Sequence, residues 1–402
     1  MFINTNEQLI KHCALAACCQ YIAIDTEFIC SNRYYYPVLA LIQVAYGGDV
    51  ILIDTLSNVN FTPLAELLTN QNVTKIIHSS RQDMEAIYHK LGVLLSPIFD
   101  TQLAALFLGF NEAPSYELIA RLYLDVKISK DIQFSNWLVR PLTKRQLDYA
   151  VSDVVHLLPI FRKMRSELQE CNKLAFLTEE CANISKNAKF YPTPAYLLAT
   201  VANLERADHV YLVACLKILE WREKLACKLN IPRNALLDGK LIPIVVNEFL
   251  KLTSQFSDNA KTELSVQDCR KLVLHNGLIK YLSKIRKDIF SKLIAFLLKI
   301  PTPRHHEICQ IEHIITAFQQ KRRLVHVPEY SSLKTLLLVV SAKYRISTTI
   351  IANKSDILLL ANNMHVSKIM TGWRYDVFGR YAKELLAGEI LDKKTPIPEH
   401  IF

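Results

Sequence analysis

Glycine is scarce in this sequence: nine glycines occur among 402 residues, about 2% against a usual ~7%. The two glycine-dependent phosphate-binding patterns, GxGxxG and GxxxxGK[ST], are both missing, which excludes Rossmann dinucleotide binding and P-loop chemistry, helicases included. No apolar run approaches the ~18 residues of a membrane span. The ten cysteines form no CxxC pair and no zinc-ligand spacing. We therefore expect a cytoplasmic protein with reduced thiols and no membrane association.

The charge that is present is unevenly distributed. The sequence carries 48 Lys and Arg against 38 Asp and Glu, a formal net charge of +10. Residues 1–190 contain 17 basic and 19 acidic residues, whereas residues 191–402 contain 31 and 19. The basic second half fits a polyanionic partner such as a nucleic acid. A lysine-rich helical surface exposed to solvent would explain the same excess.

Strand patterns are confined to the first third of the chain. Short β-rich runs at 21–24, 38–46, 50–56 and 75–78 alternate with helical spacing, and Gly47-Gly48-Asp49 predicts a hairpin. From residue 116 onward the periodicity is helical. Proline-containing breaks fall at 186–194 and 300–306. The sequence therefore predicts an α/β domain at 1–190 and all-α segments at 205–300 and 305–402.

Four acidic residues lie where predicted strands end or within predicted helices. Asp25 and Glu27 follow the first strand and share a face, because strand side chains alternate. Asp83 lies in the first turn of a helix, where the helix dipole favours an anion. Tyr149 and Asp153 are four residues apart and lie on one helical face. Each pattern alone has a structural explanation, such as solvated acids, a helix-start charge or a core tyrosine.

Taken together, these acids come in an order that suits convergence on one site. Four clustered carboxylates repel each other unless cations neutralise them, and oxygen ligands favour Mg²⁺ or Mn²⁺ over Zn²⁺. Two such ions about 3.5–4 Å apart activate a water and stabilise the leaving oxygen in phosphodiester cleavage. The pattern therefore favours a site for two divalent metal ions.

Longer motifs around these residues resemble known families. DTEF at 25–28, HSSRQD at 78–83 and YAVSD at 149–153 resemble the three motifs of the DEDDy 3′–5′ exonucleases. FSNWLVRPLTKRQLDYAVSDVVHL, at 134–157, resembles the ribonuclease D family within that class, although Asn136 stands where Asp is usual. In the basic half, residues 221–238 resemble an HRDC module, a small helical domain, and residues 371–379 resemble the end of a second, more divergent one.

The resemblance implies an architecture, an activity and partners. The architecture is an α/β RNase H-like exonuclease domain at 1–190, with a mixed central sheet flanked by helices, followed by two all-α HRDC-type helical modules. The activity is hydrolytic removal of nucleotides from RNA 3′ ends with release of 5′-monophosphates. Transfer RNA precursors, or other structured RNA with a single-stranded 3′ end, are the implied partners. We expect the protein to be a monomer.

The resemblance also implies roles for the site residues. Asp25 would bridge both metal ions, and Glu27 and Asp153 would complete the site of the metal that activates water. Asp83 would help to hold the second metal, partly through water. Tyr149 would hydrogen-bond the attacking water, and its phenol pKa of ~10 favours orientation over proton abstraction.

Three further residues are candidates for substrate binding. Phe28 could act as a wedge against a terminal base, His78 could approach the substrate, and Arg140 could contact phosphate. Each of two candidates has a structural alternative. His78 could be a core residue whose hydrogen bonds are made within the protein, and Arg140 could pack the loop beneath Tyr149. Two other functions stay open: a DNA 3′–5′ exonuclease with the same four acids, and a catalytically silent nucleic-acid-binding scaffold.

Overall fold

The computed structural model of the chain describes residues 1–30, 33–128, 132, 135–187, 190, 192–200, 207–257, 292–293, 295–296, 305–322 and 327–388. The predicted break at 300–306 and the predicted boundaries at 205, 300 and 402 lie wholly or partly outside these residues. Within the described ranges, no helix is both long enough and apolar enough to cross a membrane.

The first part of the chain forms one mixed sheet of six strands: β1 (Phe2–Ile3), β2 (Tyr21–Ile29), β3 (Val38–Tyr46), β4 (Asp49–Asp54), β5 (Thr74–Ile77) and β6 (Ile98–Asp100). Their order is β1-β4-β3-β2-β5-β6. β3 is antiparallel to β2 and β4, and the other neighbouring pairs are parallel. β2 therefore lies inside the sheet, between β3 and β5.

The predicted hairpin is confirmed, since β3 and β4 pair directly across the turn. Gly47 and Gly48 form that turn with φ values of 56° and 101°, which glycine adopts without steric cost. β2 is longer than its apolar run predicted, because pairing with β3 continues it to Ile29. β1 and β6 were not predicted, since two or three residues are too few for an alternating pattern to show.

Eight helices accompany this sheet: α1 (Asn6–Ala17), α2 (Thr62–Thr69), α3 (Arg81–Leu91), α4 (Thr101–Phe107), α5 (Tyr116–Leu124), α6 (Lys144–Val155), α7 (Leu157–Glu170) and α8 (Leu174–Asn187). α3 packs on β2 and β3, α6 on β2, β3 and β4, and α7 on β2 and β5. The predicted mixed sheet flanked by helices is therefore confirmed. Within the helical region predicted from residue 116 onward, α6 and α7 are separate helices, because His156 ends α6 and precedes the first residue of α7.

Among the remaining described residues, every regular element is helical: α9 (Pro194–Ala199), α10 (His209–Leu229), α11 (Arg233–Leu236), a 3₁₀ turn (Gly239–Leu241), α12 (Ile242–Ser257), α13 (His305–Arg322), α14 (Pro328–Tyr344), α15 (Thr348–Ile351), α16 (Lys354–Ala361), α17 (Gly372–Arg374), a π-helical turn (Tyr375–Gly379) and α18 (Arg380–Leu386). The helical C-terminal region predicted by the sequence is therefore confirmed. Its assignment to HRDC modules stays a prediction.

By packing, the chain divides into two compact units. The first combines 1–29, 37–188 and 324–402, and the second combines 30–36 and 189–323. The segment expected as one module, 305–402, is thus divided: α13 packs on α10 in the second unit, whereas α14 to α18 belong to the first. The predicted boundary at 305 differs from the observed division for this reason.

The contacts that hold the last helices in the first unit centre on Trp373 and Arg374. The buried Trp373 ring contacts Phe107 and Phe176, with centroid distances of 4.9 and 5.9 Å. Arg374 forms a two-bond ion pair with Glu180 of α8, with N–O distances of 2.7 and 2.8 Å. Glu180 lies 194 residues before Arg374 in the chain, and Phe107 is farther still from Trp373, so local patterns do not reveal these partners.

In the second unit, α10 is the central helix, and it packs on α9, α11, α12 and α13. The segment 30–36, which follows β2, joins this unit through Tyr35. The Tyr35 hydroxyl hydrogen-bonds Glu223, which also forms a 2.6 Å ion pair with Arg233. The Arg233 guanidinium lies 4.9 Å from the centre of the Tyr35 ring. Asn230 Oδ1 accepts the backbone N–H of Tyr35 at 3.0 Å, so the segment is held at both backbone and side chain.

Candidate active site

Strand β2 positions the first two carboxylates. Asp25 and Glu27 lie opposite Gln43 and Leu41 of β3, and their separation by two residues places them on one face of the sheet. The register with β3 shifts between Glu27 and Phe28, an irregularity that bends a strand. The register shift falls directly after Glu27, the second of the two carboxylates.

Helix α6 supplies the third carboxylate. It begins with a capping box, in which the Thr143 hydroxyl accepts the N–H of Gln146 and the Gln146 side chain accepts the N–H of Thr143. Buried Trp137, Leu142 and Ala150 pack this helix in a core with β3 and β4 residues. As a result, oxygen atoms of Asp25, Glu27 and Asp153 all lie within 4.8 Å of one another. Residues 128 positions apart in the chain thus form one group that could hold a metal ion.

Asp83 lies beside this group but is not part of it. Its buried carboxylate, on α3, accepts a hydrogen bond from the Thr26 hydroxyl. Thr26 sits between Asp25 and Glu27, so its side chain leaves the opposite face of β2. The negative charge of Asp83 nevertheless raises the pKa of both Asp25 and Glu27. The four predicted acids are therefore brought near each other, three in direct reach of one ion and the fourth adjacent.

Burial and mutual repulsion favour the protonated form of these acids. Burial, then the charges of Asp83, Asp153 and Glu27, raise the pKa of Asp25 well above its usual range. Burial and the charges of Asp153 and Asp83 raise the pKa of Glu27 to about 9. Burial raises the pKa values of Asp83 and Asp153 to about 7 each. A divalent cation would relieve this repulsion, and an all-carboxylate donor set fits Mg²⁺ or Mn²⁺.

We predict that this site makes the metal-free protein less stable as pH rises from about 4 to about 9. Unfolded Asp and Glu titrate near ~4, whereas Asp83 and Asp153 titrate at about 7 and Glu27 at about 9 in the fold. The folded state binds more protons in that window, so its free energy of unfolding falls as protons are lost. Mg²⁺ takes the place of the protons and should therefore stabilise more at pH 8.5 than at pH 5.5.

Thermal unfolding with EDTA and with Mg²⁺, at both pH values, checks this prediction. Other groups also titrate between these pH values, so the readout is the difference between the wild-type protein and Asp153→Asn. This substitution should reduce both the pH dependence and the Mg²⁺ effect. Equal stabilisation by Mg²⁺ at the two pH values would contradict the assignment of the acids to a metal site.

Tyr149 lies next to the carboxylate group on α6. Tyr149 and Asp153 are one helical turn apart, and each shifts the pKa of the other. Burial and the charges of Asp153, Glu27 and Asp25 raise the pKa of this phenol above its usual value. Trp137 lies alongside, with a ring-centroid distance of 6.1 Å. Tyr149 therefore keeps its proton, which favours the predicted orienting role over proton abstraction.

Arg140, predicted as a phosphate contact, forms an ion pair and hydrogen bonds within the protein. Its Nε and Nη2 bind both oxygens of Asp54 at 2.9 and 2.7 Å, and Nη2 also donates to the Ala40 carbonyl. Nη1 donates to the carbonyl oxygens of Trp137 and Val139. All five N–H groups are thus used within the protein. These contacts favour the alternative interpretation, in which Arg140 fixes the loop before α6 to β3 and β4, and a phosphate contact by Arg140 stays a prediction.

His78 and Phe28 have different outcomes. His78 lines the cavity beside the carboxylates, but both of its ring nitrogens are occupied, by Thr101 Oγ1 at 2.9 Å and by the Pro114 carbonyl at 3.1 Å. Burial lowers its pKa, so the ring is neutral. Phe28 is half-buried on β2 after the register shift and is not among the residues that line this cavity. Its role as a base wedge stays a prediction.

The sequence reasoning missed two residues of the site. Thr26 holds Asp83, and Tyr116, the first residue of α5, lines the same cavity as Asp25, Tyr149 and Asp153. The cavity has a volume of about 300 Å³, which is at the small end of the range for ligand sites. Position alone could have indicated Thr26, between two candidate acids. No local pattern around Tyr116 distinguishes it from a core aromatic residue.

The fold and the carboxylate site define a class of enzyme. Residues 1–169 match a family model described as a 3′–5′ exonuclease. Exonucleases with this fold and four acidic residues depend on metal ions, in agreement with the carboxylate group found here. The chain is therefore a metal-dependent 3′–5′ exonuclease.

Comparison along the whole chain identifies the family. Ribonuclease D of Jannaschia sp. (strain CCS1), of Zymomonas mobilis subsp. mobilis and of Sphingobium indicum are 30%, 31% and 32% identical to it. Each alignment covers 96% of this chain and 95%, 94% and 95% of the relative. The chain belongs to the ribonuclease D family and is a 3′–5′ exoribonuclease.

Solved structures support the same fold. The crystal structure of Escherichia coli RNase D, described as an exoribonuclease involved in structured RNA processing, matches with a TM-score of 0.73. That match covers 96% of this chain and 98% of the other, at 24% sequence identity. A protein from Bifidobacterium adolescentis matches with a TM-score of 0.63 at 18% identity. The fold therefore extends beyond the exonuclease domain into the helical region.

Proposed function

We propose that this exoribonuclease cleaves with two divalent ions, Mg²⁺ or Mn²⁺, and releases 5′-monophosphates. The observation that carries the proposal is the group formed by Asp25, Glu27 and Asp153, whose oxygens lie within 4.8 Å of one another. Asp83, close enough to raise the pKa values of Asp25 and Glu27, is the fourth ligand. When bound, the ions would acidify the attacking water and stabilise the leaving oxygen.

The protein's own residues divide the remaining work. The charges of Asp83, Asp153 and Glu27 all raise the pKa of Asp25 after burial, so Asp25 would be the ligand shared by the two ions in this proposal. Thr26 fixes the Asp83 carboxylate by a hydrogen bond and so limits its movement. Tyr149 remains a phenol beside Asp153 and orients the attacking water by hydrogen bonding.

We further propose that the substrate is a transfer RNA precursor or another structured RNA with a single-stranded 3′ end. The support is the charge: residues 191–402 carry 31 basic against 19 acidic residues, whereas the exonuclease part is nearly neutral. Basic surfaces bind the phosphate backbone without reading sequence, so binding should weaken with salt. We expect the protein to act as a monomer in the cytoplasm, where its scattered cysteines would stay reduced.

A time course on matched RNA and DNA single strands, each labelled at the 5′ end, tests the proposed function. With Mg²⁺ or Mn²⁺ we expect a ladder that shortens one nucleotide at a time on RNA, and no ladder with EDTA. The same reaction on a transfer RNA precursor with a 3′ extension should stop near the mature end.

Each alternative function has its own result in this experiment. A ladder mainly on DNA would contradict the proposed RNA substrate but would still agree with the proposed metal-dependent cleavage. Binding without shortening on either strand would favour a silent scaffold. Equal activity in EDTA would contradict the metal assignment.

A further inference from the structure

One wall of the cavity beside the carboxylates is built around the carbonyl oxygen of Pro114. His78 Nε2 lies 3.1 Å from this oxygen, and Gln102 Nε2 lies 3.0 Å from it. Because a carbonyl only accepts, His78 carries its proton on Nε2 and donates, as Gln102 does. Two side chains therefore fix a single backbone position, directly before the start of α5.

Fixing Pro114 also fixes Tyr116, two residues later. The Tyr116 ring packs on the His78 ring with a centroid distance of 5.7 Å, and the phenol lines the cavity with Asp25 and Asp153. Burial, and then the charges of Asp153 and Asp25, raise the pKa of the Tyr116 phenol, so its hydroxyl lies within the electrostatic range of these acids. Its hydrogen bond to the Ser152 carbonyl is 3.4 Å long, well beyond the usual ~2.7–2.8 Å for an O–H donor.

Several other neutral polar groups of this cavity make hydrogen bonds within the protein. The Ser115 hydroxyl caps α5 by accepting the N–H of Leu118, and Gln102 and His78 donate to Pro114. The Tyr149 phenol interacts with Asp153, whose charge raises the pKa of the phenol after burial. Tyr116 therefore combines a hydroxyl whose hydrogen bond to Ser152 is long with a position beside the acids that would face the scissile phosphate.

We propose that the Tyr116 hydroxyl binds the 2′-hydroxyl of the 3′-terminal ribose, and that His78 and Gln102 are positioning residues that hold Tyr116 in place through Pro114. A phenol and a ribose 2′-hydroxyl can each donate and accept, so they can pair in either direction. The terminal sugar must lie next to the phosphate that is cleaved, hence next to Asp25 and Asp153. The inference rests on the proposed metal site and adds the feature that distinguishes RNA from DNA.

Single-turnover removal of the terminal nucleotide tests this proposal. Two RNA strands of the same sequence are compared, one ending in a ribonucleotide and the other in a single 2′-deoxynucleotide. One neutral hydrogen bond corresponds to about 2- to 13-fold in rate. The wild-type enzyme should favour the ribonucleotide end by about that factor in kcat/KM, and Tyr116→Phe should lose it. The loss should fall on the ribonucleotide end alone.

Tyr123→Phe is the matched control, because Tyr123 lies on the same helix and its hydroxyl instead contacts Glu167. It should leave the preference unchanged. Gln102→Met, which removes one donor to Pro114, should reduce the preference in the wild-type background but not further in Tyr116→Phe. Equal losses on both ends, or a wild-type enzyme without any preference, would overturn the proposal.

The proposed metal site is tested separately in the same assay. If Asp25→Asn kept its activity, the metal-site assignment would fail, whatever the result for Tyr116. If Asp25→Asn were inactive and Tyr116→Phe kept the ribose preference, only the role of Tyr116 would fail.

Discussion

Replacing Asp25 with asparagine should lower the rate of 3′-end shortening by about a thousandfold or more while making the metal-free protein more stable. Metal ions supply several kcal/mol of transition-state stabilisation, and each 1.36 kcal/mol is tenfold in rate. The carboxylate also faces the charges of Asp83, Asp153 and Glu27, so a neutral amide removes repulsion from the empty site. Rates under single-turnover conditions and thermal unfolding in EDTA give the two readouts.

Asp148→Asn is the matched control for this experiment. Asp148 lies on α6 beside Tyr149 but is exposed to solvent, and the same change there should alter neither rate nor stability. If Asp25→Asn lost activity and also unfolded at a lower temperature in EDTA, the carboxylate would have a structural role. Substantial activity in Asp25→Asn would remove Asp25 from the site.

Much of this site could be predicted because its residues lie in short local motifs. Asp25 with Glu27 depends on strand alternation, and Tyr149 with Asp153 depends on helical spacing. The structure places three of the four acids in one group and Asp83 beside it. Whether an acid belongs to the group or lies beside it depends on how α3 packs on β2. No local sequence pattern predicts that packing.

The substrate contacts were harder to predict, because a polar side chain in a motif does not reveal its partners. The five N–H groups of Arg140 are used by Asp54 and by three backbone carbonyls, one of them 100 residues away. His78 makes its contacts within the protein. Tyr116 lies outside every recognised motif and reaches the site only because the loop before α5 folds back to His78.

The organisation of the helical half shows the same limit. Helix periodicity predicted helices in the region 305–402 and grouped them by sequence continuity. In the structure, α13 packs with α10, whereas Trp373 lies between Phe107 of α4 and Phe176 of α8. Contacts of this kind depend on how side chains far apart in the sequence fit together. Helix periodicity in one sequence therefore does not predict which helices pack on each other.

Replacing Trp373 with alanine should therefore destabilise the exonuclease unit by about 3–5 kcal/mol, the usual cost of removing a buried aromatic side chain from a core. Trp373 is 1% exposed, contacts two aromatic rings and donates its indole N–H to Glu180 at 3.3 Å. The substitution leaves a cavity beside the ion pair between Glu180 and Arg374 and should weaken that ion pair. Urea unfolding measures the loss, and hydrogen exchange in β2 and β5 shows whether it reaches the catalytic sheet.

Leu338→Ala is the control for this substitution, because Leu338 lies on α14 and is 56% exposed, so its removal should cost little. A fragment of residues 1–187 tests directly whether the C-terminal helices stabilise the exonuclease fold. It lacks α14 to α18, and we expect it to be less stable than the full chain because Phe107, Phe176 and Glu180 lose their partners. If the fragment were as stable as the full chain, the C-terminal helices would not support the exonuclease fold.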